Sequence, residues 1–456
     1  MNRIAKRSWI VLVFVLILSL GTVFFLGEYT LNGEEWAYFS GSPHVYSGGK
    51  LKQGVMLDRD GTALLSLKGN DTYATDALIR QAMLHWTGDR AGNIATPVLR
   101  KYTRPMVGYD LINGMYTYGD APGVMELTIS AKIQGVALEA LGDRKGLVAV
   151  YNYKTGEILC AVSTPTFDPD QVPDIAEDPE KYEGVYLNRV TKVSYTPGSI
   201  FKVVTTAAAL ETISDIRQQT FQCTSELEIG GGLVTCEKAH GTQTLDEALT
   251  NSCNCAYALV AQQVGGEWLQ HYAETFGITS SLSFDGITTE KGSVEASTAG
   301  LHQLCWSGIG QHTDLVNPCQ FMTFMGAIAN GGVPVVPHVT AQVTVGDKVT
   351  YKAETVTVDR IMSRNTAEIL QEMMAGNVEN KYGSDNFHGM KVCAKSGTAE
   401  KDSDDEPNAL FSGFVMEEKY PLAFIVVVED GGYGAKTCIP IISQVLNTCK
   451  EVLDGQ

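Results

Sequence analysis

Two residues with complementary chemistry, Ser199 and Lys202, lie three positions apart in the segment YTPGSIFK, residues 195–202. The Pro-Gly turn before them and the apolar pattern of residues 203–209 predict that both lie at the start of a buried helix, on one face. Free backbone N–H groups and the positive end of the helix dipole gather there. A lysine in an apolar setting loses its charge more easily and can accept the proton of a serine hydroxyl. The pattern therefore predicts an activated serine, and a plain helix cap beside an exposed lysine is the alternative.

Ser252 and Asn254 form a second polar group, between two apolar helical patterns in residues 245–264. Polar side chains in so apolar a stretch need hydrogen-bond partners if they are buried. A catalytic cleft would supply those partners, whereas an ordinary helix cap would explain the same residues without any catalysis.

Lys395, Ser396, Gly397 and Thr398 form a third group, which follows the apolar residues 392–394 and precedes an acidic loop. This order predicts an edge strand that enters a hairpin, where a glycine allows the backbone of a substrate to approach closely. Similar short patterns recur elsewhere in the chain, and their contexts predict a loop, a hairpin turn and a helix cap. They lie at residues 47–50, 154–156 and 363–365.

The elements that must position these groups are strands at the two ends of one segment, with helices between them. Two β-rich runs meet at a turn near residues 154–156, and a further pair of runs covers residues 409–416 and 422–430. The last helix carries an apolar stripe, with Pro440 expected in its first turn. This organisation predicts an α/β (α+β) fold in which one sheet is formed by both ends of the segment and covered by helices.

The N-terminus predicts one transmembrane helix within residues 1–30. Three basic residues precede the uncharged run 9–26, and eighteen residues at about 1.5 Å each span about 27 Å of a roughly 30 Å hydrocarbon core. The basic residues predict a cytoplasmic N-terminus and place the rest of the chain outside the cell. A cleaved signal peptide is the alternative, although its apolar core is usually shorter. Residues 31–122 predict a small N-terminal pedestal, and residues 123–456 the main domain.

Composition and charge exclude two broad classes of protein. With 44% hydrophobic and 19% charged residues, the chain has enough apolar surface to fold, which excludes a disordered protein. The 34 basic against 52 acidic residues give a net charge of −18, so we expect no nucleic-acid partner.

The ten cysteines predict little metal chemistry when they are considered by spacing alone. Cys223 and Cys236 flank a Gly-rich turn in a predicted hairpin and are the most suggestive pair for a disulfide, whose state the sequence leaves open. Cys253 and Cys255 lack the spacing of a zinc knuckle, so no metal is expected there. The others lie in apolar runs and are predicted to be small buried residues: Cys160, Cys305, Cys319, Cys393, Cys438 and Cys449.

The order of the three groups resembles the signature of the serine penicillin-binding proteins, the D,D-transpeptidases that cross-link peptidoglycan. The similarity extends to the flanks, at residues 58–61, 195–202, 308–332 and 395–400. With its N-terminal anchor, the chain resembles a short class B member. The resemblance implies the penicillin-binding transpeptidase fold, with a central antiparallel sheet of about five strands flanked by helices.

The same resemblance implies the catalytic roles. Ser199 would attack the carbonyl group between two D-alanines of a stem peptide, and Lys202 would act as the base. Ser252 and Lys395 would relay the proton to the leaving amine. Metals and organic cofactors are not expected.

The resemblance also implies how substrate is bound. Asn254 would hydrogen-bond the amide of the donor peptide, and backbone N–H groups of Ser199 and Thr398 would form an oxyanion hole. The segment of Lys395, Ser396, Gly397 and Thr398 would receive the C-terminal carboxylate of the substrate.

The partners that the resemblance implies are peptidoglycan stem peptides ending in D-Ala-D-Ala, β-lactam antibiotics, the membrane, and a polytopic glycosyltransferase. Alternative functions are an exported serine β-lactamase, a β-lactam sensor, a D,D-carboxypeptidase and a scaffold without turnover. Rapid hydrolysis of a bound penicillin would favour a lactamase, and transfer of the acyl group to water would favour a carboxypeptidase.

Overall fold

The computed structural model describes the following residues: 2–37, 46–47, 50–51, 53–68, 71–107, 109–110, 114–115, 123–401 and 405–455. The helices, in chain order, are α1 (Asn2–Ala37), α2 (Ala77–Ala82), α3 (Leu84–Thr87), α4 (Pro97–Lys101), α5 (Thr103–Val107), α6 (Ala131–Leu141), α7 (Arg189–Lys192), α8 (Lys202–Thr212), α9 (Leu245–Asn251), α10 (Asn254–Val264), α11 (Gly266–Thr275), α12 (Leu301–Ser307), α13 (Pro318–Ala329), α14 (Arg364–Asn377) and α15 (Gly434–Asp454). Shorter helical turns cover Gly198–Phe201, Ile216–Gln218, Ala296–Thr298, Val378–Tyr382 and Ser384–Phe387.

The strands, in chain order, are β1 (Tyr46–Ser47), β2 (Lys50–Leu51), β3 (Gln53–Leu57), β4 (Ala63–Lys68), β5 (Thr72–Tyr73), β6 (Tyr109–Asp110), β7 (Gly114–Met115), β8 (Gly123–Leu127), β9 (Gly146–Asn152), β10 (Ile158–Thr164), β11 (Thr220–Cys223), β12 (Glu226–Ile229), β13 (Gly232–Thr235), β14 (Gly241–Thr244), β15 (Ser283–Phe284), β16 (Ile287–Thr288), β17 (Thr340–Val345), β18 (Lys348–Lys352), β19 (Val392–Ala399), β20 (Asn408–Val415) and β21 (Leu422–Val428).

A five-stranded antiparallel sheet forms the centre of the fold, in the order β10-β9-β21-β20-β19. It unites strands from both ends of the main segment, as the sequence predicts. Alternate side chains of β9 enter two different cores: Leu147 and Ala149 pack with helix α13, whereas Val148 and Val150 pack with α6 and α15. Because helices cover both faces, the strands are apolar along almost their whole length. The expected sheet flanked by helices is confirmed.

A second sheet of six strands has the order β18-β17-β8-β3-β4-β5. Strands β3 and β4 form a hairpin around the turn at residues 58–61. Strand β8 pairs with β3 on one side and with β17 on the other. The limits 31–122 and 123–456 stay a prediction, and strands from both sides of residue 122 share this sheet.

Helix α1 contains the segment Arg3–Gly33, which alone among the described residues forms a helix long and apolar enough to cross a membrane. No residue of its most apolar stretch is buried against the rest of the protein. A long helix whose apolar stretch is not buried by protein fits the hydrocarbon core of a bilayer.

Helix α15 begins earlier than the sequence predicts. Pro440 lies inside the helix, beyond its first turn, because the helix starts at Gly434. The proline ring cannot donate to the carbonyl group of Lys436, but both residues lie on the exposed face of the helix. Water can therefore satisfy that carbonyl group, which lowers the usual cost of an internal proline.

Candidate active site

Ser199 lies in the short helical turn Gly198–Phe201 that leads directly into α8. The backbone of Gly198 has a φ of +53°, and a Cβ atom there would come within 2.6 Å of the carbonyl oxygen of Thr398. Glycine is therefore required at this position for two reasons: the left-handed backbone and the contact with β19. The turn places Ser199 beside the edge of the central sheet.

Lys202, at the start of α8, carries a fully buried amine that faces Ser199. Its Nζ lies 3.0 Å from Ser199 Oγ, 3.2 Å from Ser252 Oγ, and 2.7 Å from both Ser252 O and Asn254 Oδ1. Burial disfavours the ammonium form and lowers the pKa of Lys202 to about 7. A substantial fraction of this amine is therefore neutral near neutral pH and able to accept a proton.

Ser252 ends α9 in the left-handed conformation, with φ 54° and ψ 39°. A non-glycine residue in this region costs about 1–2 kcal/mol. The conformation turns both the hydroxyl and the carbonyl oxygen of Ser252 towards Lys202 Nζ. The backbone strain thus lies at the point where two polar groups converge on one amine.

Lys395 approaches the same hydroxyl from the opposite side. Its Nζ lies 3.0 Å from Ser252 Oγ and donates to the carbonyl oxygen of Ser396 at 2.8 Å. The side chain is fully buried, so its pKa is lowered well below the usual value, first by burial and then by the charge of Lys202. Ser252 Oγ therefore lies between two buried amines.

Asn254, the first residue of α10, is held at both ends of its amide. Its Oδ1 accepts from Lys202, and its Nδ2 donates to the carbonyl oxygen of Thr235 at 2.9 Å. The amide is oriented by these contacts in the absence of substrate, so a bound peptide would have to share or replace one of them.

The edge strand β19 carries the remaining predicted residues. In an antiparallel edge strand, alternate residues turn their backbone N–H and C=O groups away from the neighbouring strand. The N–H of Ser396 donates to Tyr382 Oη at 2.9 Å, and the carbonyl oxygen of Thr398 accepts from Gln311 Nε2 at 3.1 Å. The alternation places the backbone N–H of Thr398 on the same outer edge, beside the turn that contains Ser199.

The side chains of Ser396 and Thr398 are already engaged within the protein. Ser396 Oγ lies 2.9 Å from Tyr382 Oη, and Thr398 Oγ1 accepts weakly from the N–H of Gly434 at 3.4 Å. The structure therefore brings Ser199, Lys202, Ser252, Asn254 and Lys395 into one cluster. It places the segment of Ser396 to Thr398 along one wall of that cluster.

Gly397 allows a close approach within the protein itself. A Cβ atom at this position would lie 2.8 Å from the carbonyl oxygen of Pro197 and 3.1 Å from Ile200 Cγ2. Glycine is thus required for the contact between β19 and the turn around Ser199. The predicted approach of a substrate to Gly397 stays a prediction.

A comparison with known protein families identifies the family to which the chain belongs. The model described as the penicillin-binding protein transpeptidase domain matches residues 146–447, which is more than half of the chain. The chain belongs to this family. The family membership that the three motifs and their flanks suggested is confirmed.

Curated relatives of this penicillin-binding protein include two bacterial proteins with moderate identity. It is 29% identical over 341 residues to the peptidoglycan D,D-transpeptidase PbpA of Mycolicibacterium smegmatis. The aligned residues cover 68% of this chain and 68% of that protein. It is also 29% identical over 353 residues to the stage V sporulation protein D of Bacillus subtilis, of which it spans 52%.

Solved structures share the fold. The D,D-transpeptidase domain of a peptidoglycan glycosyltransferase from Eggerthella lenta superposes with a TM-score of 0.76 at 24% identity, covering 88% of this chain and 98% of that one. PBPA from Mycobacterium tuberculosis superposes with a TM-score of 0.74 at 23% identity, covering 88% and 100%. These likenesses confirm the transpeptidase fold.

Several residues that support the cluster in this penicillin-binding protein carry no predictive sequence signal. Tyr382 contacts Ser396 twice, and Asn377 donates to the carbonyl oxygen of Ala394 while it accepts from Thr250. Both come from α14 and the turn that follows it, far from any motif. Gln311 was detectable, because it lies in the segment 308–332 that resembles the family.

The structure answers the question that the sequence left open for the cysteines. All ten are free thiols, including Cys223 and Cys236, so no disulfide joins this pair. The hairpin between these two residues does form, as β12 and β13. The six cysteines in apolar runs are buried, as predicted. The spacing of Cys253 and Cys255 alone indicates no metal site, whereas the fold gathers Cys253 with residues from more distant segments.

Proposed function

We propose that this protein is a membrane-anchored peptidoglycan D,D-transpeptidase in which Ser199 carries the acyl group. The single observation that carries the proposal is the buried amine of Lys202, which lies 3.0 Å from Ser199 Oγ and touches both Ser252 and Asn254. Curated relatives named as peptidoglycan D,D-transpeptidases support the choice of substrate.

Acylation begins when Ser199 Oγ attacks the carbonyl carbon between the two terminal D-alanines of a stem peptide. The proton of the hydroxyl passes to the neutral amine of Lys202, which burial keeps available. Because the amine sits in place before substrate arrives, little reorganisation is required at the moment of attack.

The negative oxygen that forms on the carbonyl needs hydrogen-bond donors. The backbone N–H groups of Ser199, at a helix start, and of Thr398, on the outer edge of β19, are the proposed pair. One such donor contributes about 2.7–4 kcal/mol in a comparable enzyme. The close contact of Gly397 with the turn around Ser199 sets the distance between these two N–H groups.

The leaving amine of the terminal D-alanine must receive a proton. Ser252 Oγ lies 3.2 Å from Lys202 Nζ and 3.0 Å from Lys395 Nζ, so it can pass a proton from Lys202 to the amine while Lys395 holds its oxygen. In the second half-reaction, an amine of a neighbouring stem peptide attacks the acyl-enzyme and loses its proton by the reverse route. The new amide bond is the cross-link.

Substrate recognition follows from the same wall and from Asn254. The amine of Lys395 and the hydroxyl groups of Ser396 and Thr398 lie on this wall as hydrogen-bond donors, which suits the C-terminal carboxylate of the donor peptide. Asn254 presents an amide to the peptide backbone. β-Lactams, which resemble the D-Ala-D-Ala bond, acylate Ser199 in this proposal.

The location outside the cell and the partner are part of the same proposal. The three basic residues before the apolar run of α1 favour a cytoplasmic N-terminus and an extracellular catalytic domain. A polytopic glycosyltransferase, which supplies glycan strands to cross-link, is the partner that the class B resemblance suggests.

The test is covalent labelling with a fluorescent penicillin, combined with analysis of products. We expect Ser199→Ala to lose all labelling and wild type to convert a D-Ala-D-Ala stem peptide and an acceptor amine into a cross-linked dimer. Ser194→Ala is a matched control, because its exposed hydroxyl only donates to the carbonyl oxygen of Lys291. Stoichiometric labelling of Ser199→Ala would reject this nucleophile. Fast loss of label from wild type would indicate a lactamase, and a hydrolysed peptide as the main product a carboxypeptidase.

A further inference from the structure

Three cysteines and one histidine come together beside Ser252 and Asn254, although the four residues belong to separate segments of the chain. The sulfur atoms of Cys223, Cys236 and Cys253 and one ring nitrogen of His240 all lie within 4.8 Å of one another. Cys223 and Cys253 are buried, and Cys236 and His240 are half-buried. The four residues come from three places: the end of β11, the short connection between β13 and β14, and the residue that caps α10.

The distances within this group match a tetrahedral metal site. Cys236 Sγ lies 3.9 Å from Cys253 Sγ, and His240 Nδ1 lies 3.5 Å from Cys236 Sγ and 3.6 Å from Cys223 Sγ. Around a tetrahedral Zn²⁺, with bonds of about 2.3 Å to sulfur and about 2.0 Å to nitrogen, the edges are about 3.8 Å between sulfurs and about 3.5 Å between sulfur and nitrogen. The donors therefore surround a space of the size that this ion needs.

The start of α10 lies beside the cluster and suits a metal site that carries net negative charge. The N–H of Ala256, in the first turn of α10, donates to Cys253 Sγ at 3.4 Å. The positive end of this eleven-residue helix faces the cluster, which stabilises the net negative charge of three thiolates, one neutral imidazole and a divalent cation. Soft sulfur ligands in tetrahedral geometry select zinc over the hard cations Mg²⁺ and Ca²⁺.

The local architecture suits a cross-link of this kind. Residues 220–244 form two separate two-stranded ribbons, β11 with β14 and β12 with β13, in which buried side chains such as Phe221 and Val234 alternate with exposed ones. Two-stranded ribbons are marginally stable on their own. A metal that ties both ribbons to α10 would add a constraint to the one that this apolar packing supplies.

We propose that Cys223, Cys236, His240 and Cys253 bind one structural Zn²⁺. This ion fixes the position of the segment that carries Ser252 and Asn254. Cys253 lies between Ser252 and Asn254, and its side chain faces the ribbons while theirs face Lys202. Cys236 follows Thr235, whose carbonyl oxygen receives Asn254 Nδ2. A metal bridge from Cys236 to Cys253 therefore runs beside the hydrogen bond that orients Asn254, and the ion acts as a positioning group without contact to substrate.

The first test measures the metal content of the full chain, purified in detergent without chelators. We expect one zinc ion per chain in wild type and loss of bound zinc in the double variant Cys223→Ser/His240→Ala. The variant Cys305→Ala is the matched control, because this cysteine is also free and buried but lies in α12, outside the cluster. It should keep its zinc.

A conservative variant guards against simple unfolding. His240→Cys offers four thiolates, a set that also binds zinc tetrahedrally, and should retain the ion where His240→Ala loses affinity for it. Wild type reconstituted with Co²⁺ should show the visible absorption bands of tetrahedral thiolate coordination, and His240→Ala should weaken or shift them.

Three outcomes would overturn the proposal. Wild type could remain free of metal after incubation with Zn²⁺ while its thiols titrate as reduced, or its intact mass could show a disulfide among the three cysteines. The double variant could also keep the same zinc content as wild type. None of these measurements depends on turnover, so failure of the transpeptidase proposal would leave the result on zinc unaffected.

Removal of zinc by a chelator should also lower the Tm, and added Zn²⁺ should restore it.

Discussion

The two walls of the candidate active site are held in place by different means. The wall formed by β19 belongs to a five-stranded sheet whose neighbouring strands are almost completely buried, and each residue from Val392 to Ala399 pairs with β20. The wall formed by Ser252 and Asn254 lies at a tight left-handed turn between two helices, α9 and α10, whose inner faces are buried. The first wall is positioned by a continuous strand ladder, and the second by a turn whose polar side chains are oriented by a few hydrogen bonds.

The two walls hold different parts of the proposed chemistry. Lys202 makes three of its four hydrogen bonds to the helix-turn wall, through Ser252 and Asn254, whereas Lys395 belongs to the strand wall and reaches across to Ser252. The proposed base and the proposed relay therefore depend mainly on the turn and its polar contacts. Experiments that disturb one wall at a time can separate positioning by the sheet from positioning by polar contacts.

The largest effect is expected when the amine on the helix-turn side is removed. Lys202→Ala should lower the rate of acylation by penicillin about 10²–10⁴-fold, the usual contribution of a positioned base. Stopped-flow or gel-based labelling measures this rate. Lys154→Ala is the control, because Lys154 begins the similar pattern at residues 154–156 and is exposed in a hairpin turn. Acylation near the wild-type rate in Lys202→Ala would move the base to Lys395 on the strand wall.

A smaller effect is expected when the strand wall is pushed away from Ser199. Gly397→Ala places a methyl group 2.8 Å from the carbonyl oxygen of Pro197, so β19 or the turn must shift. We expect about 1–3 kcal/mol less stability and, from misplacement of the reacting groups, about tenfold slower acylation. Urea unfolding and labelling rates measure the two quantities.

Gly376→Ala is the matched control for this glycine. A Cβ atom there meets nothing closer than 3.8 Å, and the residue lies within α14. The same substitution should therefore raise stability by up to about 1 kcal/mol. Equal stability changes at the two positions would refute the tight contact between β19 and the turn around Ser199.

The pH dependence gives the mildest test and decides which wall supplies the base. Burial lowers the pKa of Lys202 to about 7, and only the neutral amine can accept the proton of Ser199. Acylation should therefore rise with pH through about 7, level off above it, and fall about tenfold for each pH unit below. Rates measured on both sides of this value, with circular dichroism to check the fold, test the prediction. A rate that stays high well below pH 7 would move the base from Lys202 to another group, such as Lys395, whose pKa burial also lowers well below its usual value.

The sequence predicted local features better than features that depend on distant segments. The hairpin of β9 and β10, the strand that carries Lys395, and the break between α9 and α10 all follow from local apolar patterns and turn residues. Their placement in the structure agrees with those patterns.

Features that arise from packing were not predictable in the same way. The space beside Gly397 is filled by Pro197, which no local pattern reveals. The cysteine and histidine cluster joins residues from Cys223 to Cys253 that only the paired ribbons bring together. The start of α15 was placed too late, because a proline on an exposed helix face is tolerated more readily than its average cost suggests.

The shared six-stranded sheet has a practical consequence for dissection of the protein. A fragment that starts at Gly146, where the family match begins, would keep β17 and β18 but lose β8 and the strands beyond it. Strand β17 would then present a row of unpaired N–H and C=O groups to solvent, with the newly uncovered side chains of Val343 and Val345. Open edges of this kind invite self-association. A truncation that removes the region before Gly146 should therefore aggregate even though every proposed catalytic side chain is still present.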